Sequence, residues 1–536
     1  MRAATLVGSF ALATVATSVI GAQSRDPIRV ATRLVQVHVI VQDGDRNPVS
    51  GLTRHDFRLL DDGREQVIEL FEVDALAAGA PGSPPPPSTP DTFTNQIQAA
   101  SGGVTVILID RLNTSMIDQL AVRNQALTFL GQIQPGDRVG LYMLDNSDSI
   151  HVLHDFTSDV QSLVRVLARL KGRTSNEVAA AEDVLDTGLT DSMINPELLA
   201  WAQAVESDRK IDEVRDRVKH TNVGLETIAR RLSGVRGRKN LLWISSAFPL
   251  SMSRGSGTMT SLAPEINSGL HALNDANVAV YPIDARRLIG AFASPAAARN
   301  QTFTTLSTVV AGTEALQLVA DETGGRAFFN TNDLTGAMRR AIHDGRVTYV
   351  LGYYPSHNTW NGRFRPIKVQ VNRRGVEVRH RRGYVASAVP ARSAASREAE
   401  LGGALQNPLE STAMGLTVHL ARAEGQAPGS VTVTTRIDPR GLTLERSGER
   451  WSGQADLVVA QASPGGVLDV SVDTTLTLNL TDEQRDRVLR DGLVVSRTIV
   501  LHWTTHQLRV VSRDIPTGET GSVIIPNDRL RALLAR

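Results

Sequence analysis

The 536-residue chain contains no cysteine. That excludes disulfides, thiol catalysis, zinc–cysteine sites and iron–sulfur clusters, and leaves apolar burial to supply stability. Aromatic residues are few, at 4%. Neither sign of charge dominates, with 57 basic against 56 acidic residues. A near-neutral, aromatic-poor chain lacks the footprint of a nucleic-acid or anionic-membrane binder. Beyond the first residues there is no apolar run long enough to span a membrane. HExxH, GxSxG, Walker and strand-borne GxGxxG motifs are missing, and so is any repeat period.

What remains is ordinary globular material, 41% hydrophobic and 21% charged. Its length implies about two to four domains. The opening "MRAATLVGSFALATVATSVIGAQSRD" has one early Arg, a mildly apolar stretch and small residues before Gln23. This layout predicts a signal peptide over 1–22 and an exported, periplasmic or extracellular protein, with an uncleaved anchor as the alternative.

In "RVATRLVQVHVIVQ", Val35, Val37, Val39 and Val41 fall on one face of a strand. "FRLLDDGREQVIELFEV" reads as a hairpin turning at Asp62-Gly63. Residues 28–75 are therefore expected to form a small β-domain. A Pro-rich linker follows over 76–102. From 103 to 346, strands such as "VTVILID", "DRVGLYMLD", "NLLWIS" and "VAVYPID" alternate with helical patterns. That alternation predicts a doubly wound α/β domain, Rossmann-like in layering, with a helical insertion over about 175–220. A hairpin extension over 347–388, a linker over 389–412 and a β-sandwich-like domain over 413–530 complete the reading. Within the last domain, Thr481 and Gln484 form a capping box for a short helix ending at Gly492.

Ligands of open α/β sheets sit at the carboxyl ends of the strands. Asp110, Asp145 and Asp284 stand at such ends. The bland role for each is to cap the following turn by accepting backbone N–H bonds.

"VTVILIDRLNTS", "HTNVGLETIARRL" and "GRKNLLWISSAFP" resemble the three loop regions of a von Willebrand factor type A (VWA) domain. The order of "GLTRHDFRLLDDGREQVIELFE", "LIDRLNT", "VAVYPIDARRL", "YVLGYYPS" and "IKVQVNRRGVEVRHRRGYVA" is similar to the VWFA-related Acidobacterial subgroup, over roughly 30–386. The resemblance implies a metal-ion-dependent adhesion site. Asp110 matches its first Asp, Thr114 its second Ser, and Thr221 the Thr that precedes a later helix. Leu112 stands where the first Ser belongs, and Ser245 or Ser246 where the second Asp belongs. Asn113 or Asp145 would have to complete the shell. With one oxygen and one anion lost, Mg²⁺ binding is expected to be weak or absent.

His151 and His154 are three apart on a strand, so they cannot chelate one ion together. Arg373, Arg374, Arg379, Arg381 and Arg382 read as a solvated hairpin guarded by charge. Tyr353 and Tyr354 are expected between two β-layers. The function expected is protein or cell-envelope binding, not catalysis. The alternatives are an exported hydrolase and a purely structural envelope component.

Overall fold

A computed structural model of the chain describes residues 34–75, 91–97, 103–114, 116–134, 137–145, 150–170, 196–235, 237–246, 251–253, 259–261, 263–285, 315–329, 333–357, 359–387, 394–423 and 425–535. The signal-peptide segment, the Pro-rich run 81–90 and the first part of the insertion lie outside the described residues.

The molecule is a mixed α/β protein with several sheets. At its centre is a five-stranded sheet in the order Val278–Asp284, Lys239–Ser245, Val104–Asp110, Val139–Leu144, Ile150–Thr157. The first four strands are parallel and the last is antiparallel. Strands this rich in Val, Ile and Leu belong in a sheet buried on both faces. Val104, Val106, Leu108, Leu241 and Trp243 join one apolar core with helices Pro196–Leu232 and Ala263–Asp275. Ile107, Ile109, Leu242 and Ile244 join the other, beneath helices Met116–Leu130, Val160–Ala168 and Leu334–Asp344. "RAFFN", expected as a further strand, contributes a single parallel bridge at Phe328.

The N-terminal β-domain and the hairpin extension, expected as separate units, are two halves of one. Strand Val35–Gln42 lies between Val347–Tyr353 and Glu377–Arg379, and Phe57–Asp61 pairs with Asn361–Val371. Their apolar faces share one core, which includes Val35, Val37, Val39 and Val41. A lone hairpin is marginal in water, so the strands on either side of the α/β domain complete each other. Tyr353 is buried in this core, whereas Tyr354 is exposed.

Both expected linkers carry structure. Thr92–Thr94 adds a strand to Leu416–Arg422 of the C-terminal unit. Buried Asn95 ties that strand down, donating to Ser411 and Met414 carbonyls and accepting from Leu416 N–H. Ala394–Gln406 is a helix, and its Leu401 and Leu405 pack on Val458, Ala460 and Val511. The C-terminal sheets, Leu493–Val500 with Ser430–Ile437 and Leu416–Arg422, and Arg450–Ala462 with Gln507–Asp514 and Thr520–Pro526, enclose a common core. Helix Asp482–Asp491 has the Thr481–Gln484 capping box, and Gly492 ends it at φ 80°.

The hairpin arginines are not simply solvated. Arg379 pairs with Asp344, Arg381 donates to the Asn274 and Gln36 carbonyls, and Arg382 reaches Glu322. Three of the five thus pin the β-unit to the α/β domain, while Arg373 and Arg374 stay exposed. On the other side, Arg231 pairs with Asp155 at 2.7 Å and with Glu410 at 2.9 Å. Thr412 Oγ1 donates to Arg231 O and accepts from Gly234 N–H. Among the described residues no helix is long and apolar enough to cross a membrane.

Candidate functional site

The chain leaves Val104–Asp110 toward Val139–Leu144 on one side and later returns to Lys239–Ser245 on the other. The carboxyl end of Val104–Asp110 is therefore the point where the strand order reverses, the usual ligand position of such sheets. Asp110 closes that strand at 1% exposure.

A carboxylate this deep needs donors for its lone pairs. It has three. Asn113 N–H donates to Oδ1 at 2.9 Å, Asn113 Nδ2 to Oδ2 at 2.9 Å, and Trp243 Nε1 to Oδ2 at 3.0 Å. Asn113 Nδ2 also donates to Thr221 Oγ1 at 2.9 Å. One amide nitrogen thus joins the two oxygens, from Asp110 and Thr221, that a cation would have joined. Burial pushes the Asp110 carboxyl up from its ordinary range, against the pull of Asn113, Ser245 and Trp243.

Thr221 does not precede a helix. It lies inside Pro196–Leu232, a 37-residue helix, and its hydroxyl donates back to Arg217 O at 2.9 Å. That bond to the preceding turn is the local alternative open to a helical Thr. Its proton goes to the helix and one of its two lone pairs to Asn113. Thr114 accepts from Ser246 N–H at 3.3 Å, and Ser246 Oγ meets Asp118 Oδ2 at 3.3 Å. Ser245 Oγ is fully buried near the carboxylate and makes no hydrogen bond of ordinary geometry. Leu112 is not turned to the site at all; it is part of the apolar core.

Asp145 pairs with His151 at 3.2 Å. His154 contacts its neighbour's carbonyl, Asp155 O, at 2.7 Å, so the two histidines are engaged separately. Among the described residues no cluster of three or more His, Cys, Asp or Glu side chains is arranged to hold a metal ion. Mg²⁺ asks for about six oxygens in octahedral array. Here the one buried carboxylate accepts three N–H bonds, and the Thr114, Thr221 and Ser246 hydroxyls are each engaged in hydrogen bonds within the protein. This donor set does not fit a divalent ion.

The structure brings Asp110, Asn113 and Thr221 together and sets Thr114 beside Ser246. Sequence reasoning missed Trp243. Its signal was available, because a Trp inside a strand that is buried along its whole length has to find an acceptor for its N–H.

No protein family model matches the chain, and no curated protein matches it. Among solved structures, an aerotolerance-related membrane protein from Bacteroides fragilis is 13% identical, covering 45% of this chain and 98% of its own, at a TM-score of 0.25. The conserved hypothetical protein BatB from Bacteroides thetaiotaomicron is 13% identical over 45% of this chain and 98% of its own, at 0.23. The SpRpn10 VWA domain is 14% identical over 34% of this chain and 89% of its own, at 0.16. Likeness this slight adds nothing to the strand order described above.

Proposed function

We propose that this is an exported binding protein of VWA type whose strand-end face makes protein contacts without a metal ion. In this reading an adhesion site of degenerate form sits in a doubly wound domain, flanked by a small β-domain and a C-terminal β-sandwich. The partner is a protein or a component of the cell envelope, and the chain is not an enzyme.

The observation that supports it is the closure of Asp110. A carboxylate that accepts three N–H bonds at 1% exposure keeps about one lone-pair site, deep in the protein, which disfavours both a free base and an incoming cation. The contact surface must then come from the side chains around it. Leu120 and Val223 are 41% and 45% exposed, on the two helices that flank the closed site. Exposed apolar side chains on these two helices suit a protein partner better than a polar small molecule.

The test is capture of partners from a solubilised envelope fraction by the full chain. The same bands should be retained in EDTA and in Mg²⁺, and should be lost with Leu120→Asp/Val223→Asp. Capture that needs Mg²⁺, or that ignores the double substitution, contradicts the reading.

The hydrolase alternative has one observation in its favour, the Asp145–His151 pair at 3.2 Å. An Asp that orients a His is how a general base is held. His151→Ala with loss of a hydrolytic activity from the pure protein would support it.

A further inference from the structure

We propose that the cavity between the α/β domain and the first β-unit binds a neutral sugar or polyol unit. It lies beside Asp275, just ahead of strand Val278–Asp284, and so at the end of the sheet opposite Asp110. Helix Ala263–Asp275, helix 315–323 and strands Asn361–Val371 and Gly383–Ser387 form its walls. Its volume is about 240 Å³. That is room for about eight waters, or one hexose-sized ring in their place.

The lining has the mixture a polyhydroxyl ligand needs. Phe364 is 47% exposed and offers a flat apolar surface for the C–H face of a ring, with Tyr384 beside it. Asp275 and Glu322 supply carboxylate acceptors, and His271 a group that can donate or accept. Asn274, 7% exposed, completes the polar part of the wall. Polar groups converging in a partly apolar cleft at a domain junction are the usual anatomy of a small-molecule site.

Charge decides against an ionic ligand. Arg382 lies 3.5 Å from Glu322, and Arg381, buried at the same junction, lines the adjoining cavity with Asp275. Two guanidinium groups stand against these acids and nearby Asp321, so neither sign of charge dominates the lining. The adjoining cavity, about 110 Å³, shares Asp275 and Tyr384 and adds Trp360. It leaves space for a substituent on the bound ring, and so for the end unit of a glycan as well as for a free sugar.

The test uses the full chain and saturation-transfer NMR. The probes are glucose, galactose, mannose, N-acetylglucosamine and myo-inositol, together with polysaccharides ending in each of the four sugars. Saturable binding to at least one probe is expected. Phe364→Ala should weaken it about tenfold, and Glu322→Gln should weaken it as well. Asp110→Asn, at the far end of the sheet, should leave it unchanged, which separates this site from the strand-end face. Response to the free sugar assigns a soluble ligand, and response only to the polysaccharide assigns a surface glycan; both support the proposal. No saturable response from any probe overturns it, as does binding that Phe364→Ala and Glu322→Gln leave intact.

Discussion

Replacing Asn113 probes the closed site most sharply. Asn113→Ala removes the side-chain amide bonds to Asp110 Oδ2 and Thr221 Oγ1 and keeps the backbone N–H bond to Asp110 Oδ1. A hydrogen bond to a buried charge contributes about 1.5–3 kcal/mol and a neutral one about 1, so the loss should be about 2–4 kcal/mol. For a unit of roughly 200 residues this lowers Tm by about 5–15 °C. Scanning calorimetry should show the shift in one transition only, because a multidomain chain need not unfold as one unit. Asn113→Asp should be worse at pH 7. It sets a second carboxylate against Asp110, and like charges this close force one to keep a proton. Its folded-state pKa is then raised, so stability returns as pH falls and is lost as pH rises through that value. Oxygens now stand where N–H groups stood, so Mn²⁺ or Mg²⁺ should raise the Tm of Asn113→Asp and leave the wild type unmoved. A loss below about 1 kcal/mol for Asn113→Ala would show that the amide is not holding the site. An equal Mg²⁺ response in the wild type would refute the reasoning outright.

Burial holds the Lys239 ammonium down to about 8, so the folded state disfavours its charge. Stability should therefore climb as pH rises from about 8 toward the ordinary lysine value, by at most about 3 kcal/mol, and Lys239→Met should abolish that slope in urea titrations. A methyl group at Gly234 would lie 1.7 Å from Thr412 O, so Gly234→Ala should unseat the C-terminal unit from the α/β domain, seen as faster proteolysis near 407–414. A protease site engineered into 81–90 should yield two pieces that still co-elute after cleavage, because Val35–Gln42 is held between two later strands. Separation of the pieces without denaturant would contradict that interlock.

The parts that could be read from sequence were those set by local pattern. "VTVILID" and "VAVYPID" are too apolar to be anything but buried strands, and they occupy Val104–Asp110 and Val278–Asp284. The Thr481 capping box is likewise written in adjacent residues. Pairing between distant segments was not legible. Nothing in "VQVHVIVQ" states that its partners lie some three hundred residues later, since strand alternation names a face and not a neighbour. Thr92–Thr94 was hidden by its Pro-rich surroundings and is held by Asn95, whose three bonds all reach across the chain. At the site, Asp110 and Thr221 were found as positions, but their meaning depended on Asn113. An Asn reads equally as an oxygen ligand or as an N–H donor, and only the distances to both oxygens decide that it donates.

Calorimetric titration of the full chain with Mg²⁺ and Mn²⁺ tests the central claim most directly. Buried and holding three N–H bonds from Asn113 and Trp243, Asp110 should give no saturable heat with either ion, and partner capture should survive chelation. Micromolar binding that disappears in Asp110→Ala would contradict the account, and would mean that Asn113 turns its oxygen to the site and that Ser245, Asp145 or backbone carbonyls complete a metal shell.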